Sequence, residues 1–164
     1  MEESLWYKKI EKTIIEENEK LYKNDFKFYQ VESFLKIAKK VDHFAANCST
    51  CNSSKAVSEE LTENLADYLK GDIVSRRAYE KKLTTMNKHL RKEHSIYPKQ
   101  YFISLYSLLG VVIGLLSGVL VAYLTIPGFM KQSLLFGFVA GLFIGRIWGK
   151  VKDKKQLKAG KVLE

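Results

Sequence analysis

The sequence predicts an all-α membrane protein, in which a cytoplasmic helical N-terminal domain is followed by a two-helix transmembrane hairpin. First, Lys131 is the only charged residue from Tyr101 to Gly145, although the 164-residue chain carries 27 Lys and Arg and 18 Asp and Glu. Second, apolar residues recur at helical spacing through the first hundred residues, without strand-like alternation of useful length. Third, the segment from Arg146 to Glu164 carries seven basic and two acidic residues. A nearly uncharged stretch of this length excludes a purely soluble protein.

These observations divide the chain into three parts. Residues 1–99 are the predicted cytoplasmic helical domain, which contains a candidate metal site. Residues 100–149 are the predicted transmembrane hairpin, and residues 150–164 are the predicted basic cytoplasmic tail. The order is therefore head, membrane hairpin and tail.

Four helical segments are predicted in the N-terminal domain, each from an apolar face at approximately helical spacing. The first contains Leu5, Ile10, Ile14, Leu21 and Tyr22, and the second contains Phe28, Val31, Leu35, Ala38, Val41 and Ala45. Asp25 is the expected N-cap between them, with one continuous helix as the alternative. After a polar loop at 47–55, the third contains Val57, Leu61, Leu65 and Leu69, and the fourth contains Val74, Ala78, Leu83, Met86 and Leu90. Gly71 and Asp72 separate these two, and the fourth runs toward Pro98. The apolar faces predict a helical bundle with a core of its own.

The candidate chemistry of this domain lies in two cysteines and two histidines. Two residues separate Cys48 from Cys51, and four separate His89 from His94, as in zinc sites with two Cys and two His ligands. The 37 residues between the two pairs fit a helical hairpin. The third helix leads away from the cysteines, and an antiparallel fourth helix returns His89 to their level. We expect the fourth helix to loosen near Lys92, so that both histidines face inward.

Zn²⁺ is therefore the expected cofactor, with His43 as the substitute fourth ligand. Its role is structural, because four protein ligands leave no open position for a catalytic water. A redox dithiol and cysteines without a function are the alternatives. A c-type haem site is excluded because Asn52, and not a histidine, follows Cys51. The domain also lacks a phosphate-binding glycine loop, a HExxH helix and a nucleophile elbow, so we do not expect an enzyme.

Two apolar runs are long enough to cross a bilayer. The first span is expected at about 101–126 and the second at about 131–148. The uncharged part of the first, Tyr101–Leu124, is about 36 Å long as a helix, against about 30 Å for the hydrocarbon core. A tight turn is expected at Pro127 and Gly128, because proline lacks an amide donor and glycine relaxes the backbone.

Basic residues beside the spans predict the orientation. Nine basic and three acidic residues lie between Tyr68 and Gln100, and the tail is also basic, whereas the connecting turn offers only Lys131. The positive-inside rule then places both termini in the cytoplasm. A cleavable signal peptide is not expected, because the first residues are charged and have no apolar core. The Lys-, Asn- and Ile-rich composition indicates a microbial source, so a bacterial cytoplasmic membrane is the expected location.

Glycine recurs every four residues in both spans, a pattern known as a glycine zipper. The residues are Gly110, Gly114 and Gly118 in the first span and Gly137, Gly141, Gly145 and Gly149 in the second. This spacing makes a smooth stripe along a helix, on which another backbone can approach closely. The stripes are expected to be packing faces, either within one hairpin or between the copies of a homo-oligomer.

The leading functional hypothesis is a noncatalytic assembly or recruitment module at the cytoplasmic face of a membrane. Its expected partners are the lipid bilayer, further copies of the chain and a protein that binds the head. Nucleic acid is not expected, because topology already explains basic residues at a membrane boundary. The alternatives are a homo-oligomeric pore or membrane-disrupting effector gated by the head, and a CxxC thiol redox protein. Neither span has an acidic residue, His or Lys in its apolar core, which argues against a monomeric transporter.

Overall fold

The computed structural model of the chain describes residues 4–18, 31–124 and 130–163. The regular elements within these ranges are α-helices, which confirms the all-α prediction. The helices are α1 (Leu5–Asn18), α2 (Val31–Ala45), α3 (Ser49–Glu63), α4 (Leu65–Lys70), α5 (Ile73–Glu93), α6 (Tyr101–Leu124) and α7 (Met130–Lys158). The predicted turn at Pro127 and Gly128 lies outside the described residues, as do the predicted helical positions Leu21, Tyr22 and Phe28 and the cap Asp25.

The chain divides into two compact units. One, here called the N-terminal unit, comprises Met1–Ile96 together with Leu163–Glu164. The other, here called the hairpin unit, comprises Tyr97–Val162 and contains α6 and α7. Each unit is described by itself below.

Helices α1 to α5 pack around one hydrophobic core in the N-terminal unit. On the predicted apolar face of α2, Val31, Ala38 and Val41 are buried, and Leu35 and Ala45 are half-buried against the core. The remaining core residues are Ile10, Ile14, Phe34, Ile37, Cys51, Leu61, Leu65, Leu69, Tyr79, Leu83, Met86, Leu90, Ile96 and Leu163. Ser58 and Thr62 are also buried, and each hydroxyl donates to the carbonyl four residues earlier, so neither polar group lacks a partner.

Three boundaries in this unit differ from the sequence prediction. The polar stretch that carries the cysteines is not a loop, because α3 already begins at Ser49. The single third helix is interrupted at Asn64, whose side-chain amide donates to the carbonyl of Glu60 at 3.0 Å. The backbone N–H of Asn64 donates to the same carbonyl at 3.1 Å, and the φ of −108° and ψ of 20° at Asn64 depart from helical values. The last helix, α5, ends at Glu93 and does not reach Pro98.

The two helices of the hairpin unit are long and apolar enough to cross a membrane. Helix α6 has 24 residues, and α7 has 29. Helix α7 continues past the predicted end of the second span at Trp148 as far as Lys158. Most of the predicted basic tail is therefore helical, because no residue between Trp148 and Lys158 is proline and only Gly149 is glycine.

The glycines of the two predicted stripes face each other across the hairpin. At each of the seven positions, an added Cβ would lie closer than 3.0 Å to a backbone atom of the opposite helix. Gly110 faces Gly141 in this way, and Gly114 faces Gly137. Both stripes are thus engaged within one hairpin, and association between copies stays a prediction.

The first turn of α6 is capped by a carboxylate from the other helix of the hairpin. Asp153 accepts hydrogen bonds from the backbone N–H groups of Phe102 at 3.1 Å and Ile103 at 3.0 Å. A negative charge at this end also complements the helix dipole. The sequence contains no local signal for this cap, because about fifty residues separate the donors from the acceptor.

We expect Asp153→Ala to destabilise the hairpin unit by about 1 kcal/mol, the usual cost of a lost N-cap. The loss should be measured by thermal denaturation in detergent, with Asp153→Asn as the matched control. Asparagine retains one acceptor oxygen, so this variant should recover part of the stability. Equal melting of the wild type and the alanine variant would show that the cap contributes nothing.

The chain reverses direction after α7 at Gly160. Gly160 has a φ of +68°. Its N–H donates to Leu157, and the N–H of Lys161 donates to Gln156, the two bonds of a Schellman cap. The carbonyl of Lys161 then accepts a 2.9 Å hydrogen bond from the N–H of Tyr97.

Gly160→Ala should therefore loosen this turn. A left-handed conformation costs an alanine about 1 kcal/mol, whereas asparagine tolerates it. Hydrogen exchange at the Lys161 amide should accelerate about fivefold in the alanine variant, the rate equivalent of that energy. Gly160→Asn should exchange at nearly the wild-type rate, and faster exchange in both variants would point to a cause other than backbone strain.

Candidate metal centre

Two cysteines and two histidines converge in the N-terminal unit. The ligand atoms of Cys48, Cys51, His89 and His94 all lie within 4.8 Å of one another. Sγ of Cys48 is 3.3 Å from Nε2 of His89, and Sγ of Cys51 is 3.3 Å from Nε2 of His94. The predicted quartet is thus brought together, and it could hold a metal ion.

The start of α3 supplies the two sulfur atoms. Cys48 is the N-cap of α3, and its Sγ accepts a 3.5 Å hydrogen bond from the N–H of Cys51. Because the first turn of the helix winds back over its cap, residues three apart present both thiols to the same side. Cys51 is fully buried, and Cys48 is half-buried.

The end of α5 supplies the two imidazoles. Side-chain contacts between α3 and α5 run in opposite directions along the two helices, with Ser58 on Met86 and Glu60 on Lys82. This antiparallel arrangement returns the end of α5 to the start of α3, as the residue count between the pairs predicted. His89 lies within α5.

His94 joins the cluster because α5 stops at that position. The helix stays regular through Glu93, so the predicted loosening near Lys92 is wrong. His94 is the C-cap, and Ser95 follows with a φ of 54°, which turns the chain out of the helix. The N–H of Ile96 then bonds back to the carbonyl of Leu90 at 3.1 Å. The end of α5, and not a distortion within the helix, thus brings His94 to the cluster.

The last turn of α2 closes one side of the cluster with an aromatic ring. Phe44 stacks on His94, with ring centroids 4.0 Å apart and planes 13° apart. His43, the expected substitute ligand, does not belong to the cluster and instead packs edge-on against Phe44 at 4.8 Å. The sequence analysis did not assign Phe44 to the candidate metal site, although its position next to His43, a candidate ligand, was a signal for it.

Burial disfavours the charged forms of Cys51 and His94 in the metal-free protein. Burial, and then a hydrogen bond and charge interaction with Cys48, raises the pKa of Cys51 to about 12. Burial, and then the neighbouring His89, lowers the pKa of His94, while Glu93 acts in the opposite direction. A neutral imidazole can bind a metal directly, whereas the thiol must lose its proton to the incoming cation. A thiol with a raised pKa is also a poor nucleophile, which disfavours a redox role for Cys51.

The donor set fits a tetrahedral ion. Zinc bound at about 2.3 Å to sulfur and 2.0–2.1 Å to nitrogen places neighbouring S and N donors about 3.6 Å apart. The two S–N distances of 3.3 Å are close to that value, so small side-chain movements would complete the geometry. With all four positions taken by protein atoms, such an ion would crosslink the start of α3 and the end of α5.

Comparison with protein-family models, with curated proteins and with solved structures finds no match to this chain. The cluster of Cys48, Cys51, His89 and His94 is therefore the feature from which function must be inferred.

Proposed function

We propose that this chain is a noncatalytic two-pass membrane protein whose cytoplasmic helical unit is stabilised by a structural Zn²⁺ and recruits or assembles partners at the membrane. The observation that carries the proposal is the convergence of four ligand atoms within 4.8 Å. Two thiolates and two imidazoles are the ligands that zinc prefers in structural sites. Soft sulfur donors favour zinc over magnesium or calcium.

The hairpin unit supports the membrane part of the proposal. Only 17% of the apolar window in α6 and 11% of that in α7 is buried. Large apolar side chains such as Ile113, Leu116 and Phe136 are mostly exposed, which is costly in water and favourable in lipid. Basic residues lie beside the spans on the side of both termini, so the N-terminal unit would face the cytoplasm.

Noncatalytic recruitment is the function best supported by a fully coordinated ion. An ion held by four protein ligands has no free position for substrate or water. It can fix the shape of a surface, and a fixed surface attached to a membrane hairpin can hold a partner at the bilayer. Further copies of the chain and a separate protein are both possible occupants of that surface.

The test combines metal content with membrane extraction. Purified, tag-free protein should contain about one zinc per chain by elemental mass spectrometry, as expected for a four-ligand site. Cys48→Ser should lose the zinc and still remain in the membrane fraction after alkaline carbonate washing. Wild-type protein without stoichiometric metal would contradict the zinc site. Release of the protein from the membrane fraction by carbonate would contradict the membrane assignment.

The pore and redox alternatives have less support. Both glycine stripes are occupied within one hairpin, which leaves neither free to build an oligomeric channel wall in the way that a glycine zipper requires. The pore would be supported instead if the protein caused dye leakage from vesicles at low protein-to-lipid ratio and had a multimeric mass in detergent. A reversible disulfide between Cys48 and Cys51 in freshly lysed cells would support the redox function instead.

A further inference from the structure

An apolar groove runs along one side of the hairpin, beside the facing glycines. It encloses about 410 Å³, within the ~300–1,000 Å³ range of small-molecule sites. Six of the side chains that line it are Tyr106, Leu109, Ile113, Ala140, Ile144 and Trp148. The glycines form its floor, because without a Cβ they leave room between the two rows of larger side chains. The groove therefore has the shape and polarity to take a narrow apolar chain.

The groove ends at aromatic residues, and cations follow on the same helix face. Trp148 and Tyr106 are the aromatic lining residues, a pair typical of the membrane interface. Lys152 and Lys155 follow Trp148 by four and seven residues, so all three lie on one side of α7. Nζ of Lys152 lies 5.8 Å from the ring centre of Phe102 in the first turn of α6.

Among the residues that the structure describes, Asp153 forms no ion pair with Lys152 or Lys155, between which it lies in the sequence. Both carboxylate oxygens of Asp153 accept hydrogen bonds from the backbone at the start of α6. Lys155 is exposed, and Lys152 is half-buried. Two ammonium groups are thus available beyond the aromatic end of an apolar groove.

We propose that this groove binds an anionic phospholipid, with one acyl chain along the glycine floor and the phosphate headgroup at Lys152 and Lys155. The inference rests on the proposed function, in that α6 and α7 must cross a bilayer. An apolar channel that leads to a cationic end is complementary to an amphiphile with an acyl tail and a negative head. Each lysine near an anionic membrane surface contributes about fivefold to binding.

A helix from a second copy fits this groove less well. A copy inserted in the same orientation would bring its own lysines to the same level of the membrane. Like charges at that level repel, whereas an anionic headgroup is attracted. Charge complementarity thus favours the lipid over self-association on this face.

The test uses Trp148 as a reporter inside the groove. The chain has two tryptophans, so Trp6→Phe leaves Trp148 as the only source of indole fluorescence. The full-length protein is reconstituted in vesicles that contain brominated phosphatidylcholine or brominated phosphatidylglycerol, since bromine quenches a nearby indole. We expect the phosphatidylglycerol to bind beside Trp148 at least fivefold more strongly than the phosphatidylcholine, as the contribution of one lysine implies.

Two lysine pairs give a matched comparison. Lys152→Gln with Lys155→Gln should bring the preference close to one. Lys154→Gln with Lys158→Gln removes the same charge from another face of α7, since these residues follow Trp148 by six and ten positions. This second variant should keep most of the preference. Equal helical content by circular dichroism ensures that all variants are folded.

The outcomes separate this inference from the proposed function. Absence of quenching by either brominated lipid would show that Trp148 is not in a bilayer, and both proposals would fail. Quenching by both lipids without a preference would overturn the phospholipid site alone. The phospholipid site would also be overturned if the two double variants reduced the preference equally, because the attraction would then depend on net charge and not on Lys152 and Lys155.

Discussion

Replacing Cys51 by serine is expected to abolish zinc binding and to lower the free energy of unfolding of the N-terminal unit by more than about 4 kcal/mol, the range that the loss of a metal produces. Structural zinc in small domains binds with about 10–16 kcal/mol at neutral pH, and that energy is available only to the folded state. Cys51 is also fully buried, so the serine hydroxyl would replace a sulfur atom inside the core. Thermal denaturation by circular dichroism, with zinc counted in the same samples, measures both effects.

His43→Ala is the matched control for this experiment. His43 lies in the sequence beside Phe44, but it does not belong to the ligand cluster. This variant should keep its zinc, and a chelator added to the wild type should reproduce the melting of the Cys51 variant. A Cys51 variant that retains its zinc and melts with the wild type would show that the cysteines are incidental.

Gly114→Leu is expected to produce the largest effect in the hairpin unit. A Cβ at this position would collide with the backbone carbonyl of Gly137, which no rotamer change can relieve. Overpacking usually costs about 1–3 kcal/mol, and a backbone collision belongs at or above the upper end. The helices must separate along their length, so the melting temperature in detergent should fall sharply.

Val112→Leu is the control for a leucine side chain on the outer surface of α6. Val112 is 47% exposed on the outer surface of α6, where an extra methylene meets detergent or lipid. This variant should melt with the wild type. Equal melting of the Gly114 variant would show that the two backbones do not need their close approach.

The ligand cluster could be predicted because its geometry depends on counting residues. Helix α3 leads away from Cys51, and after the turn at Gly71 helix α5 leads back over about as many residues. His89 therefore lies at the level of Cys51 along the helices, and this result does not depend on the details of the packing. The interruption at Asn64 did not disturb this return, although it was not predicted. The position of His94 depended on the helix end at Ser95, whose left-handed backbone has no clear signal in the sequence.

Partners that are distant in the sequence could not be predicted. Asp153 reads as one acid in a basic tail, and its role as the cap of α6 depends on how α7 lies beside it. The glycine spacing predicted close packing, but two stripes can pair with each other or with another molecule. Only the three-dimensional placement of Gly110 against Gly141 distinguishes these possibilities.

Because Cys51 pairs with His94, the ligand cluster cannot be completed during synthesis until His94 has been made. The two residues are 43 positions apart in the chain, so the thiols are exposed before their histidines have been made. At 5–20 residues per second, this interval lasts roughly 2 to 9 s. During that time the cysteine pair can hold a metal only weakly or react with oxidants. Zinc supply during synthesis should therefore affect the yield of folded protein more strongly than zinc supplied afterwards.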